Sequence, residues 1–375
     1  MTMESSKHRR LKVLTLVSGD LWAGAEAMAC NLLRRLKEYE NLDISVIILN
    51  PGRLADELRS SSLKVHVIDE NLNSFWNIFR KIREIIGGSP PDIIHSHRYK
   101  ENLLALLISG CSRGIKLVSS QHGLPELDQE MSTINQRLKT RINFWTLSRF
   151  FTTVAVSNDI RNIMVNRFGF REDKVEVIHN GIELPPSPSP RGNSGPLVIG
   201  SSGRLFPIKD YPLMVEIARE VIANGAEDVR FELAGDGPER PALEALVKCN
   251  GLGTCFIFKG HQSDMDLFYR GLDVYLNTSV HEGIPMTILE ALAHGLPVIA
   301  PAVGGIVEII DDGTQGFLIG SRTPEDFAKK CLRLRDNRDE RERFGRAARG
   351  KAEQAFTAAK MAEQYYQIYR RSIIT

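Results

Sequence analysis

The chain alternates short strands with helices along its whole length, and that alternation breaks once. β-Branched runs read as strands at Lys12–Val17, Ile44–Leu49, Val65–Ile68, Ile93–His95, Lys116–Ser119, Thr152–Val156 and Val175–Ile178. Amphipathic segments such as Ala25–Lys37 and Trp76–Ile86 lie between them. Strand and helix at this spacing predict a parallel sheet wound on both faces. The stretch Leu184–Pro196, LPPSPSPRGNSGP, then builds neither helix nor sheet and reads as a linker. Beyond it strands resume at Leu197–Ser201, Arg230–Ala234, Phe256–Phe258, Val274–Asn277, Val298–Ala300 and Gly316–Ile319. Helices are expected at Tyr211–Ala223, Glu239–Lys248, Thr287–His294 and Pro324–Leu334. The expected organisation is α/β throughout: a doubly wound domain over 1–185, a linker over 186–196, a second such domain over 197–356, and a helical tail over 357–375. In such folds ligands sit beyond the carboxyl ends of the strands, so a cleft between two facing domains is the expected site.

Composition narrows the function classes. Apolar residues are 42% and charged residues 25% of 375, ordinary for a globular chain with more than one core. No apolar run approaches the roughly 18 residues that span a bilayer. Basic Lys7–Arg10 followed by apolar Leu11–Val17 mimics a short signal peptide, but the β-branched content and the Gly-rich turn after it read as a first strand. Five cysteines, Cys30, Cys111, Cys249, Cys255 and Cys331, are scattered with no C-x-x-C pair, which points to a reducing, cytoplasmic setting without a disulfide frame or zinc site. Residues 1–185 carry 25 Lys and Arg against 21 Asp and Glu, and the remainder 23 against 25. That imbalance is too weak to suggest nucleic acid, and it allows contact of the first half with anionic lipid.

The densest chemistry lies around Glu282 and Glu290. The strand Val274–Asn277 ends in the turn Thr278–Gly283, and Pro285 suits the first turn of a helix. The amides of Gly283, Ile284, Met286 and Thr287 would then be donors at a positive helix end, a seat for phosphate, with one carboxylate on each side to accept from sugar and ribose hydroxyls. Two ordinary helix-entry glutamates would show the same spacing. Arg204 and Lys209 come after the first strand of the second domain. Arg offers a fork to phosphate oxygens and Lys a compact charge, and together they would offset the charge of a diphosphate leaving group; solvated loop cations are the bland alternative. In the first domain the glycines of Ser18-Gly19-Asp20 and Ala23-Gly24-Ala25-Glu26 would let backbone approach a ligand closely. Their spacing is not the dinucleotide fingerprint, which disfavours a nicotinamide oxidoreductase. His122 lies just past the strand Lys116–Ser119. His95 and His97 share one strand face, but no third metal ligand is evident. The basic and bulky segment Arg137–Trp145 fits either a membrane surface or a helix packed on its own domain.

Five segments in order resemble one family. His281-Glu282-Gly283-Ile284-Pro285-Met286-Thr287-Ile288-Leu289-Glu290-Ala291 resembles the E-x7-E signature of retaining glycosyltransferases of family four. Pro297-Val298-Ile299-Ala300 with Val303-Gly304-Gly305 and Glu308 resembles the next segment of that family. Gly203-Arg204-Leu205 with Lys209, Gly235-Asp236-Gly237-Pro238 and His179-Asn180-Gly181-Ile182 resemble three further family segments. The match is tight in the second half and loose in the first, where Ala23 replaces the first glycine of the family's pair before Ala25-Glu26.

The resemblance implies the GT-B fold, two facing Rossmann-like domains whose last helix crosses back to the first. It implies sugar transfer from a nucleotide-sugar, UDP- or GDP-linked, onto a glycan or lipid-linked acceptor with retention at the anomeric carbon. By the same resemblance, Arg204 and Lys209 grip the donor diphosphate, His122 faces the transferred sugar, and Glu282 and Glu290 hold the donor. Front-face attack, with the donor phosphate helping to take the acceptor proton, is the implied course. No metal and no cofactor beyond the donor is expected. The rival readings are a nucleotide-sugar epimerase of the same fold and a non-catalytic nucleotide-sugar-binding protein; intact Glu282, Arg204, Lys209 and Glu290 argue against decay. The expected setting is cytoplasmic, with peripheral contact at the inner membrane face through the first domain.

Overall fold

The computed structural model describes residues 9–19, 22–112, 114–123, 134–186 and 195–374, with 134–137 described by backbone alone. Asp20 and residues 187–194 of the expected linker lie outside the described residues.

The first unit holds a seven-stranded sheet: β1 (Leu11–Val17), β2 (Leu42–Ile48), β3 (Lys64–Val67), β4 (Ile93–Ser96), β5 (Lys116–Gln121), β6 (Thr152–Ala155) and β7 (Val175–Val177). The order is β3-β2-β1-β4-β5-β6-β7, and every neighbouring pair is parallel. The N-terminal apolar run is therefore a central strand. It pairs on both edges and is covered on both faces, so Val13, Leu14, Leu16 and Val17 are all buried.

The second unit repeats the plan with β8 (Leu197–Ser202), β9 (Val229–Ala234), β10 (Phe256–Gly260), β11 (Val274–Leu276), β12 (Val298–Pro301) and β13 (Gly316–Ile319), in the order β10-β9-β8-β11-β12-β13. Its core joins Ile199, Phe231, Val274 and Ile299 of the sheet to Met214, Phe327 and Phe344 of the covering helices. In both sheets the order reverses beside the first strand, at β1/β4 and at β8/β11. Loops leaving the carboxyl ends of two such strands diverge and open a crevice between them.

The units divide at Gly181/Ile182 and again at Thr357/Ala358. This corrects the expected boundary at 185/186. Ile182 donates to Phe356 O at 2.9 Å and pairs with Thr357, and Arg349 donates to Pro185 O at 3.0 Å, so the chain already belongs to the second unit before the Pro-rich stretch begins. The last helix, Ala358–Ile374, is grouped with the first unit. It buries Met361, Tyr365, Ile368 and Tyr369, and its tyrosines bond to side chains of β4 and β5.

One long helix has no counterpart in the sequence-based expectation. Arg338–Ala355 is so rich in charge that its apolar stripe shrinks to Phe344, Ala348 and Ala352. It packs on the short helix Met286–Ala293. That support holds still the helix that carries Glu290.

Candidate active site

The second unit gathers its candidate residues at the carboxyl ends of β8 and β11. After β8 the chain turns through Gly203 and Arg204 into a single 3₁₀ turn, Pro207–Lys209. After β11 it turns through Thr278–Gly283 into the helix Met286–Ala293. The two loops are tied together: Val280 N donates to Ile208 O at 2.9 Å and Thr278 Oγ1 to Lys209 O at 2.9 Å. Lys209 and Glu282 consequently meet. Lys209 Nζ donates to Glu282 Oε1 at 2.5 Å, and Ser279 Oγ donates to the same oxygen at 2.7 Å. Both charged side chains are mostly buried, at 19% and 15% exposure. A pair this sheltered is screened far less than a surface pair.

Pro285 is the cap of the Met286–Ala293 helix rather than its first helical residue, with φ −72° and ψ 116°. The first bonds inside the helix run from Ile288 N and Leu289 N to Pro285 O. Gly283, Ile284, Met286 and Thr287 thus form the turn and the amino end of the helix, where aligned peptide dipoles favour an anion.

Glu290 stands one turn further in, partly exposed. It accepts from Tyr269 OH at 2.7 Å, and Ser202 Oγ lies 3.0 Å from that hydroxyl. Burial pushes the Glu290 carboxyl up to about 7, while the Tyr269 hydrogen bond works the other way. A carboxyl poised there accepts a hydrogen-bonded diol well only once ionised.

The turn geometry depends on glycine where backbone meets backbone. Gly304 has φ +49°, and a Cβ there would stand 2.1 Å from Glu282 O; at Gly305 it would stand 1.7 Å from Gly283 O. Gly305 N donates to Glu282 O at 2.9 Å. The Val303-Gly304-Gly305 turn is therefore a backbone brace under Glu282, and any side chain would dislodge it.

Arg204 is not drawn into this cluster. It is exposed, it stacks over the Phe206 ring at 4.9 Å, and it has no ion-pair partner among the described residues. Arg322, which the sequence did not single out, does more for the geometry. It donates to Ser279 O and Thr278 O, each at 3.0 Å, and pairs with Asp210, so it pins the loop of Glu282 to the loop of Lys209. Nothing in the sequence marks it, because it comes after β13, the strand farthest from β8 on that side of the sheet. Tyr269 was missed for a similar reason: a tyrosine on a six-residue helix, Met265–Arg270, reads as core.

The first unit carries the remaining candidates. Gly24 opens the helix Gly24–Leu36 after β1, and no side chain caps that end. Glu26 in its first turn is fully buried and pairs with Arg98, just past β4. His122 Nε2 lies 2.9 Å from His97 Nδ1, with the rings stacked. His95 has other hydrogen-bond partners: its Nε2 lies 2.8 Å from Ser120 Oγ and its Nδ1 2.7 Å from Tyr369 OH. Burial pushes His95 and His122 down to about 3, so both rings are neutral at pH 7. The sequence treated His95 and His97 as a pair. The structure keeps their rings together on that face, with centroids 4.4 Å apart, while their hydrogen bonds differ: His97 to His122, and His95 to Ser120 and the terminal helix. Among the described residues, no group of three or more His, Cys, Asp or Glu is arranged to hold a metal ion.

Known proteins bear on both units. Residues 22–184 match glycosyltransferase family 4, and residues 196–337 match glycosyl transferases group 1. An Escherichia coli UDP-Gal:alpha-D-GlcNAc-diphosphoundecaprenol alpha-1,3-galactosyltransferase is 23% identical over 89% of this chain and 90% of its own length. The 2-deoxystreptamine glucosyltransferase of Streptomyces kanamyceticus is 27% identical, over 56% of this chain and 58% of its own. Among solved structures, Anabaena HepE in complex with UDP-glucose superimposes with a TM-score of 0.84 at 20% identity, covering 96% of this chain and all of that one.

Proposed function

We propose that this chain, a glycosyltransferase of the GT-B fold, moves a hexose or related sugar from a UDP- or GDP-sugar to a glycan or lipid-linked acceptor, with retention at the anomeric carbon. The observation that carries the reading is the meeting of Lys209 and Glu282 at the carboxyl ends of β8 and β11, with Glu290 one turn along the helix. Lys209 is held as a sheltered cation beside the amino end of that helix, where a diphosphate would sit. Arg204, with no ion partner of its own among the described residues, swings onto the same phosphates. Both then stabilise charge that grows on the leaving nucleoside diphosphate, and such charge is worth most in a water-poor site. Glu282 gives up its bond to Lys209 as the donor enters and accepts from the transferred sugar. Glu290, aimed by Tyr269, accepts from the ribose hydroxyls. The donor phosphate helps to take the acceptor proton. The Escherichia coli relative is named for a UDP-galactose donor and a lipid-diphosphate acceptor, which favours UDP over GDP and a lipid-linked acceptor at the inner membrane face.

A thermal-shift panel of UDP-, GDP- and ADP-sugars tests the donor class, because a ligand that binds only the native state raises the melting temperature. A UDP-sugar should give the largest shift, and excess chelator should leave both shift and transfer unchanged. Flat melting across the panel, or activity lost with EDTA and restored by a divalent ion, contradicts the reading. Release of an altered sugar-nucleotide from donor alone favours the epimerase.

The raised Glu290 carboxyl adds a pH dependence. Its ordinary value is 4.5, and here it is about 7. The free native protein therefore binds the extra proton more tightly than the unfolded chain, and Glu290 costs stability as pH climbs from 4.5 towards 7. A ribose diol needs the ionised form, so nucleotide affinity should rise between about pH 6 and pH 8, by roughly tenfold from this group. Phosphate ionisation is common to wild type and Glu290→Gln, so titration calorimetry on both isolates the Glu290 share. Parallel profiles in the two proteins would remove Glu290 from the nucleoside site.

A further inference from the structure

Both exposed tryptophans among the described residues lie in the first unit, on helices that cover one face of its sheet. Trp76 is 66% exposed on the helix Phe75–Ile86, and Trp145 is 54% exposed on the helix Ile134–Leu147. The crossovers from β3 to β4 and from β5 to β6 run the same way along the sheet, and right-handed connections put both helices on the same side. The helix Tyr99–Gly110 touches each of them. Two more apolar side chains stand in the open on the same segments: Leu72, just before the first of these helices, at 81% exposure, and Leu138, on the second, at 54%. Scattered single apolar residues need no explanation, but these four fall on or just before two helices of one sheet face. Trp76 packs edge-on against Phe75 and Phe79, and the Arg149 guanidinium lies 5.0 Å over the Trp145 ring.

Basic side chains dominate these helices, with Arg80 also pairing with Glu84 at 3.8 Å. Their described side chains include Arg80, Lys81, Arg83, Lys139 and Arg141 against one acid, Glu84. That contrasts with the near balance of the whole chain, 48 basic to 46 acidic residues. The donor-side chemistry does not account for the tryptophans, since neither helix contributes a residue to the site in the second unit. Amphipathic rings that rest at a headgroup boundary, beside long cationic side chains that reach anionic phosphates, match a bilayer surface. A soluble acidic protein would meet the cations, but it would gain little from indoles and leucines spread over two helices.

We propose that the outer face of the helices Phe75–Ile86 and Ile134–Leu147 docks the first unit on an anionic lipid surface. The inference rests on the lipid-linked acceptor reading and assigns its membrane contact to a two-helix surface. The indoles and leucines enter the headgroup layer, and the five cations face lipid phosphates. No helix among the described residues is long and apolar enough to cross a membrane, so this is contact along the surface.

The test is co-sedimentation of the full chain with vesicles of phosphatidylcholine alone, and of phosphatidylcholine with about a third phosphatidylglycerol. Wild type should sediment with the anionic vesicles and stay in solution with the neutral ones. The double variant Arg80→Glu/Lys81→Glu should lose roughly tenfold or more in partitioning, since each cation near the surface contributes. Trp76→Ser and Trp145→Ser should each weaken it with melting temperature and nucleotide binding retained. Those two readouts separate docking from catalysis: lost vesicle binding with nucleotide binding intact concerns this surface alone, and docking without turnover concerns the transferase reading alone. Equal partitioning of wild type and variants, or no binding to anionic vesicles, overturns the proposal. So does a concentration-dependent dimer of wild type that the same substitutions dissociate, which would assign the face to a second copy.

Discussion

A chain ended at Thr357 should fail to fold its first unit. The missing helix, Ala358–Ile374, supplies Met361, Tyr365, Ile368 and Tyr369 as buried side chains, and it closes a run of hydrogen bonds. Tyr369 OH meets His95 Nδ1 at 2.7 Å, His95 Nε2 meets Ser120 Oγ at 2.8 Å, and Ser120 Oγ meets Tyr365 OH at 2.6 Å. Truncating one buried aromatic to alanine costs about 3–5 kcal/mol. Losing these two tyrosines with Met361 and Ile368 sums to about 10–20 kcal/mol, as large as the roughly 5–15 kcal/mol that holds a domain. The milder Tyr369→Phe should cost about 1–3 kcal/mol, because it strands a buried ring nitrogen of a histidine that cannot charge at neutral pH. All three tryptophans, Trp22, Trp76 and Trp145, lie in the first unit, so their fluorescence during urea unfolding reports on it selectively. A truncated chain that unfolds at the wild-type urea concentration would show that the helix is an appendage.

Much of this architecture was legible in the residues. Parallel strands buried on both faces are β-branched runs bounded by turns, and every strand expected from those runs is present, to within a residue or two at the ends. The illegible parts share a cause, local ambiguity. The Arg338–Ala355 helix looks solvated because its apolar stripe is only Phe344, Ala348 and Ala352. The unit boundary was placed at the proline-rich stretch, while the chain actually changes partners at Ile182, through a backbone bond to distant Phe356 that no local pattern reveals.

The candidate site shows the same division. Glu282, Gly283, Lys209 and Glu290 sit where a strand–turn–helix pattern put them, because that pattern is contiguous in sequence. Arg322, Asp210 and Tyr269, which hold those residues in place, carry no motif of their own. The pairing of Lys209 with Glu282 could not be read either, since their separation of 73 residues is bridged only by the adjacency of β8 and β11. That adjacency also explains why the two expected donor-binding segments meet.

The Lys209–Glu282 pair leads to the second large effect. Lys209→Ala should lower kcat/KM at least tenfold, a rise of about 1.4 kcal/mol in the barrier, because it removes the sheltered cation and leaves Glu282 a buried charge held by Ser279 alone. Arg204→Ala should act in the same direction. Wild-type rates in both variants at low donor would remove the diphosphate role. The two glutamates should then separate by mechanism. A contact that strengthens in the transition state lowers turnover when it is removed, whereas uniform binding raises KM. Gln keeps the size of Glu and removes its charge, so packing changes little.

The most direct measurement is titration of free UDP and GDP into wild type, Glu282→Gln and Glu290→Gln, with initial rates recorded over a donor series for the same three proteins. The account predicts that UDP binds wild type, that Glu290→Gln weakens that affinity by roughly tenfold with turnover largely kept, and that Glu282→Gln retains the affinity while turnover collapses. Nucleotide affinity abolished by Glu282→Gln and untouched by Glu290→Gln would reverse the two roles and contradict the placement of the donor along the Met286–Ala293 helix.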